Sequence, residues 1–239
     1  MTIPEQDSLP GDPTREKLKL EALRLFSERG INGVSVRDIV SASGLRNSSS
    51  IHYYFGTKEA LVKELVVDIA RHTDIKRNRV LDELEQAGGP VSVAEVVRVL
   101  IETSINRPDA GDDDAGIARG YMRFIMMLQL NHLRIFNEAV AVENRWNSGY
   151  LRCLDHLRKL LPEVPPEILN QRFIFMTLAV GTALSAREAS MEAATNPNRL
   201  WGTRYALENL IDTVCGMLEQ PPSESTLETF RSGREQASG

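Results

Sequence analysis

Three aspartates in a row, Asp112, Asp113 and Asp114, are the densest run of potential metal ligands in the sequence. A hard cation needs several oxygen ligands at defined intervals, and no second acidic motif at a recognisable spacing accompanies them. They therefore read as a solvated acidic loop. His132 and His156 have the chemistry of general bases or ligand contacts. Neither stands in a Ser/His/Asp or Cys/His arrangement, so packing or surface positions are the plainer reading. Cys153 and Cys215 each sit within an apolar helical pattern, which suits inert buried thiols in a reducing compartment. Asn47-Ser48-Ser49 matches a glycosylation acceptor, but the same residues serve as a helix cap, which is the expected use in a cytoplasmic chain. No catalytic residue, no metal ligand and no cofactor is expected.

A different chemistry is written at Ser48-Ser49-Ser50, which run directly into Ile51-His52-Tyr53-Tyr54-Phe55. Serines are weak helix formers, so a buried helix would prefer Leu and Ala there. On a short helix over about 47–55, Ile51 and Phe55 lie four apart with Tyr54 beside them and face inward. Ser49, His52 and Tyr53 then form the opposite stripe, at spacings of three and four. Short hydroxyls let a helix approach base edges in a major groove. His52 and Tyr53 are placed to reach phosphates, and Lys58 adds charge where the next helix begins.

The elements that must hold this stripe follow from hydrophobic periodicity and its breaks. The first helix is expected from about Thr14 to Arg29, opened by Pro13, stopped by Gly30, with Leu18, Ala22, Leu25 and Phe26 on one face. The second starts at Ser35, where "SVRD" resembles a capping box. Gly44 breaks the chain before the serines, and Gly56 and Thr57 separate the third helix from a long one reaching about Ala87. Further helices are expected at about 92–106, 117–136, 143–161, 167–194 and 199–219. Residues 1–13 and 220–239 are expected to be disordered by composition. No segment alternates with period two, so the fold class is all-α: an N-terminal three-helix helix-turn-helix domain at 14–60, then a larger helical domain at 61–219.

Composition agrees with a soluble body carrying one basic end. The 239 residues are 42% hydrophobic and 26% charged, with a net charge of -5. Residues 14–60 nevertheless hold eight Lys/Arg against five acids. That asymmetry fits a chain of which only one end touches nucleic acid. The acidic start has no basic, apolar signal pattern, and no stretch approaches the ~18 apolar residues of a membrane span, so a cytoplasmic location without membrane contact is expected.

The elements "ALRLFSERGINGVSVRDIVSASG", "YYF" and "GTKEAL", in that order, resemble the DNA-binding domain of the TetR (tetracycline-repressor) family over roughly residues 14–65. One departure is visible: "GLRNSSSIHYYF" is one residue longer between Gly44 and Phe55 than the family's usual turn, and His52 stands where Tyr is common. The resemblance implies a homodimeric regulator, a repressor in the leading reading, on a palindromic double-stranded DNA operator. Its DNA contacts would come from Ser35 and Arg37 on the second helix, Arg46 and Asn47 in the turn, Ser48, Ser49, Ser50, His52 and Tyr53 on the third helix, and Lys58.

The resemblance also implies a small-molecule pocket and a dimer interface in the helices that follow. Candidate pocket residues are Tyr121, Phe124 and Met127 from about 117–136, Trp146 and Tyr150 from about 143–161, and Phe173, Met176 and Thr177 from about 167–194. Read alone, the stripe of Tyr121, Phe124, Met127 and Leu128 is more often plain core than pocket, and the resemblance brings the two closer to even. Aromatics and thioethers with few polar groups favour a mostly apolar effector, a ring system or acyl chain. The dimer interface is expected on about 167–194, with its small residues Ala179, Gly181, Ala183 and Ser185, and on about 199–219, with Tyr205, Leu207, Leu210, Ile211, Val214 and Met217. Two other readings stand beside this one: an all-α enzyme using the acidic loop with a metal, and an interaction protein that keeps the module without binding DNA.

Overall fold

The computed structural model describes residues 12–47, 49–105, 120–142, 144–192, 200–203 and 205–238. Among these every regular element is helical. Ser48, Asp112, Asp113, Asp114 and residues 1–11 lie outside them.

Three short-range signals shape the N-terminal domain. Asp12 caps α1 (Pro13–Arg29) by accepting from the Thr14 amide at 2.8 Å, and Pro13 takes the first position, where a missing N–H costs nothing. Ser35 and Asp38 form a reciprocal capping box on α2 (Val36–Ala42). Gly44, with φ 67°, makes the turn into α3 (Ser49–Phe55), and Gly56, with φ 73°, ends it. Both angles lie in the left-handed region, where a side chain is strained. Leu18, Ala22, Leu25 and Phe26 of α1 close over Ile39 and Val40 of α2 and Ile51 and Phe55 of α3, all buried.

The long α4 (Lys58–Gln86), capped by Thr57, then runs from this domain through the body. Around it pack α5 (Val93–Thr103), α7 (Leu133–Val142) and α8 (Ser148–Leu160). α6 (Tyr121–Asn131) lies along α9 (Pro166–Glu192) and also touches α1. α10 (Ala206–Glu219) closes the far side against α5 and α9. α9 is long and apolar enough by length and composition to cross a membrane, unlike the sequence expectation. It is a central helix of this body, with Phe173, Met176 and Leu184 buried.

Several boundaries differ from the periodicity. The helix expected over 117–136 is broken at His132, whose φ of -138° and ψ of 42° are not helical, so α6 and α7 are separate. The segment from 144 opens with a short 3-10 turn (Asn144–Asn147) and becomes α-helical only at Ser148. The last long helix starts at Ala206 rather than near 199. Residues 220–239 were expected to be disordered, yet Glu224–Ser238 is helix α11. Leu227 and Phe230, three apart, pack their apolar sides on the core, and Arg234 lies 3.7 Å from Glu167 of α9. Asp12 and Pro13, expected in the arm, belong to α1 and its cap.

The DNA-binding domain is tied to the body by buried charge and by rings. Lys19, 7% exposed, sits 2.5 Å from Glu64 and 2.8 Å from Asp68 of α4, and Arg15 reaches Glu64 at 2.6 Å. Phe26 of α1 stacks on Phe124 of α6, centroids 6.1 Å apart and planes 17° off parallel. Lys63 of α4 bridges Glu59 and Glu138, connecting α4 to α7.

Candidate nucleic-acid interface and effector cavity

α3 presents the two faces that its spacing predicts. Ile51 and Phe55 are buried and Tyr54 half-buried, while Ser49, His52 and Tyr53 are exposed, Tyr53 at 82%. Tyr54 donates its phenolic proton to Asp12 Oδ2 at 2.7 Å, so the cap of α1 also anchors α3. Its ring meets Tyr53 edge-on at 4.9 Å, which positions the exposed phenol.

The serine run is held by Asn47. Asn47 Oδ1 accepts from the Ser49 amide at 3.0 Å and from the Ser49 hydroxyl at 2.7 Å, and Ser50 Oγ donates to the Asn47 carbonyl at 2.8 Å. These side chains therefore cap the helix start with their protons and turn lone pairs outward. Ser35 is likewise committed, its hydroxyl giving its proton to Asp38 at 2.6 Å. His52 Nδ1 lies 2.7 Å from the Gly56 carbonyl. A carbonyl can only accept, so Nδ1 carries the proton and Nε2 faces outward as an acceptor.

Lys58 departs from its expected role as a plain phosphate contact. Its ammonium donates to the carbonyls of Ile31 and Val34, both at 2.9 Å, and so braces the loop between α1 and α2. Only one of its three protons is left for a phosphate. Arg15, Lys19 and Arg24 are spent on acids in the same way. Among the described residues, the exposed cations of this domain without a salt bridge are Lys17, Arg29, Arg37 and Arg46. Lys17 was not a sequence candidate, because on a helical wheel it is one more surface lysine of α1. Its ammonium lies beside the turn, 3.7 Å from where a Cβ on Gly44 would stand.

Acid should loosen this arrangement. The Tyr54 hydroxyl, then the Thr14 amide, holds the Asp12 carboxyl below its ordinary 3.8. The Ser35 hydroxyl, then the Ser35 amide, does the same for Asp38. The stability these carboxylates contribute is present above pH 3.8 and is lost as the pH falls through their lower folded values. An Asp12→Asn variant should lack the Asp12 part of this acid sensitivity. Parallel melting curves of both proteins from pH 5 down to about pH 2 would remove Asp12 from the account.

The body contains a cavity of about 360 Å³ between α4, α6, α7, α8 and α9. Of the sequence candidates, Tyr121, Trp146, Tyr150, Met176 and Thr177 line it. Phe124 and Met127 do not, and Phe173 lines a separate groove with Leu133 and Ile174. The α6 wall is instead Met122, Ile125, Met126 and Gln129. Phe124 points to Phe26, because one residue along a helix is a turn of about 100°. The sequence reading also missed the α4 wall, which is Val66, Ile69, Ala70, Thr73, Asp74 and Arg77. The available signal was the pair Asp74 and Arg77 on an apolar stripe, where an exposed helix face would not place them.

Comparison with known proteins follows this geometry. The model of bacterial regulatory proteins of the TetR family matches residues 20–65. Over those residues the chain is similar to the TetR family. Two transcriptional repressors called KstR2 are similar over part of the chain. The protein from Rhodococcus jostii strain RHA1 is 39% identical over 67 residues, 28% of this chain and 32% of its own. That from Mycolicibacterium smegmatis is 35% identical over 65 residues, 27% and 31% respectively. The chain thus matches about a third of these relatives' length.

The whole fold resembles a TetR-family transcriptional regulator from Mesorhizobium loti MAFF303099. The TM-score is 0.54 at 15% identity, covering 89% of this chain and 96% of the other. A structure named superantigen PfiT aligns with TM-score 0.50 at 20% identity, covering 92% and 100%. At these identities the likeness concerns the fold alone. Beyond α4's first turns, the chemistry of this chain lies in its own side chains.

Proposed function

We propose that this chain is a ligand-responsive transcriptional repressor, acting in the cytoplasm as a homodimer on a palindromic operator and released by a mostly apolar small molecule. One observation carries the reading: α4 lines the cavity from Val66 to Arg77, and its first residue, Lys58, braces the loop that seats α2. A ligand that moves α4 therefore moves the reader. Residues 14–60 are the reading domain and 61–219 the sensing and dimerising body, with α11 an addition to that body.

On the DNA side, Tyr53, Lys17 and the remaining proton of Lys58 supply phosphate contacts, His52 Nε2 is left to accept from a base amino group, and Arg37 and Arg46 bring free charge beside them. Ser49 and Ser50, with their own protons bonded to Asn47, offer lone pairs. They suit the amino groups of adenine or cytosine in the major groove. Binding a ligand changes operator affinity only so far as the ligand prefers one dimer geometry over the other. A coupling of about 1–3 kcal/mol, roughly 5–150-fold, is the usual range for such devices.

The experiment is a gel shift on a pool of genomic fragments, followed by variants on the selected operator. Tyr53→Ala and Lys17→Ala should weaken binding to every sequence, and Lys17→Ala should also reduce its salt dependence by about one counterion. Arg46→Ala and Ser49→Ala should instead change which sequence is preferred. No enrichment of any fragment would exclude the operator reading, and unaltered affinity in both Tyr53→Ala and Lys17→Ala would exclude this face.

A further inference from the structure

The cavity is mostly apolar, with neutral polar groups at Gln129, Asn147, Tyr150 and Thr177 and its charged side chains, Asp74 and Arg77, on α4. Arg77, 8% exposed, stands at the corner where α4 meets the end of α5. Its Nε donates to Thr103 Oγ1 and its Nη2 to Ser104 Oγ, both at 3.1 Å. Thr103 passes its own proton to the Val99 carbonyl at 2.7 Å, and Tyr121 donates to the Ser104 carbonyl. The corner is therefore closed with neutral acceptors. Among the described residues no carboxylate lies within ion-pair distance of Arg77, and its Nη1 makes no hydrogen bond.

Asp74, one turn away and 4% exposed, is satisfied separately. It accepts from the Gly149 amide at 2.7 Å, the Ser148 hydroxyl at 2.8 Å and Asn78 Nδ2 at 3.0 Å. Ser148 and Gly149 begin α8, so this carboxylate is compensated by a helix N-terminus. A buried guanidinium that no carboxylate contacts among the described residues is costly, and burial pulls its pKa below the ordinary arginine value against the opposing, more distant charge of Asp74. A structural role needs only the two hydroxyls. Arg77 borders the cavity, whose apolar wall includes Val66, Ile69, Ile125, Met126 and Val140.

We infer that the effector is amphipathic, with a carboxylate that pairs with Arg77 and an apolar chain or ring that fills the space toward Ile125 and Met126. This rests on the effector-cavity reading above and names the chemistry of its ligand. Ionised hydrogen bonds in a dry site are strong and geometrically specific. The acid should therefore bind at least about tenfold more tightly than the alcohol of the same skeleton.

The test uses the full chain and matched probes: decanoate against decanol, dodecanoate against dodecanol, and naphthoate against naphthol, by titration calorimetry. In the wild type each acid that binds should outbind its alcohol. Arg77→Gln should erase that preference while leaving alcohol binding intact, and Arg77→Lys should keep part of it. Equal or tighter alcohol binding overturns the anchor but leaves an apolar effector cavity standing. Failure of all acids and alcohols to bind overturns both readings. An unchanged acid preference in Arg77→Gln overturns the assignment to Arg77. Melting curves check that the variants fold, and if Arg77→Gln does not, the wild-type pairs together with Arg77→Lys decide.

Discussion

Phe124→Ala is expected to lower the free energy of unfolding by about 3–5 kcal/mol, the usual range for truncating a fully buried ring. Phe124 is 0% exposed and Phe26 1%, and the two rings are stacked. The space left behind lies between α1 and α6, where Lys19 and Arg15 already fix α1 to α4 and limit its collapse. The same change should leave the affinity for an apolar effector close to wild type, since Phe124 is not in the cavity wall. It should however weaken the effect of that effector on DNA, because the ring is a direct contact between α6 of the body and α1. Urea unfolding together with effector titration, with and without operator, separates the three quantities. A loss of stability below about 1 kcal/mol would mean the interface repacks freely, and this joint would carry little.

Much of the reading domain was legible because its signals are local. Gly44 and Gly56 mark positive φ, Ser35 and Asp38 mark a helix start, and the two faces of α3 follow from three- and four-residue spacing. What sequence could not supply was occupancy. Ser35 and Lys58 look like free polar groups in a string of letters, yet one is closed on Asp38 and the other on two carbonyls of the loop between α1 and α2. Long-range pairing of that kind has no period.

The body was less legible for two physical reasons. His132 breaks a helix without Gly or Pro, so the segment continues its apolar pattern while the backbone does not. The tail shows the converse: its polar composition hides two apolar residues, Leu227 and Phe230, which dock it on the core. The cavity suffered from angular error, since Phe124 and Ile125 differ by one position and face different neighbours. Its α4 wall was missed because a stripe of Val66, Ile69 and Ala70 looks like any core-facing helix. Only Asp74 and Arg77 betray the difference.

Ile174→Glu and Phe175→Glu are each expected to convert the dimer to monomer and to lower operator affinity on the order of 100-fold or more, as the two half-sites are no longer held together. The outer face of α9 repeats exposed apolar or small residues at Ile174, Phe175, Leu178 and Thr182, with Ile174 59% and Phe175 55% exposed. Such a stripe on a central helix fits a two-fold contact better than solvent.

α10 contributes less apolar surface than its sequence suggested. Ile211 and Val214 are buried within the chain, and its outward positions include Asn209, Asp212, Thr213 and Gly216. Small and polar, these suit close helix approach at the edge of an α9 seam. Gly181, another residue expected at the interface, is turned inward, where a Cβ would run into Met126 Sδ. A glutamate at the centre of the seam would be desolvated without a partner, a cost that dissociation avoids. Val91→Glu is the matched control: it is 78% exposed and equally apolar, but stands before α5 and away from the seam. Sedimentation of the three variants beside gel shifts gives the answer. Dimers that persist in both α9 variants would move the interface elsewhere. Monomers that still bind the operator at wild-type affinity would refute the two-fold mode of recognition itself.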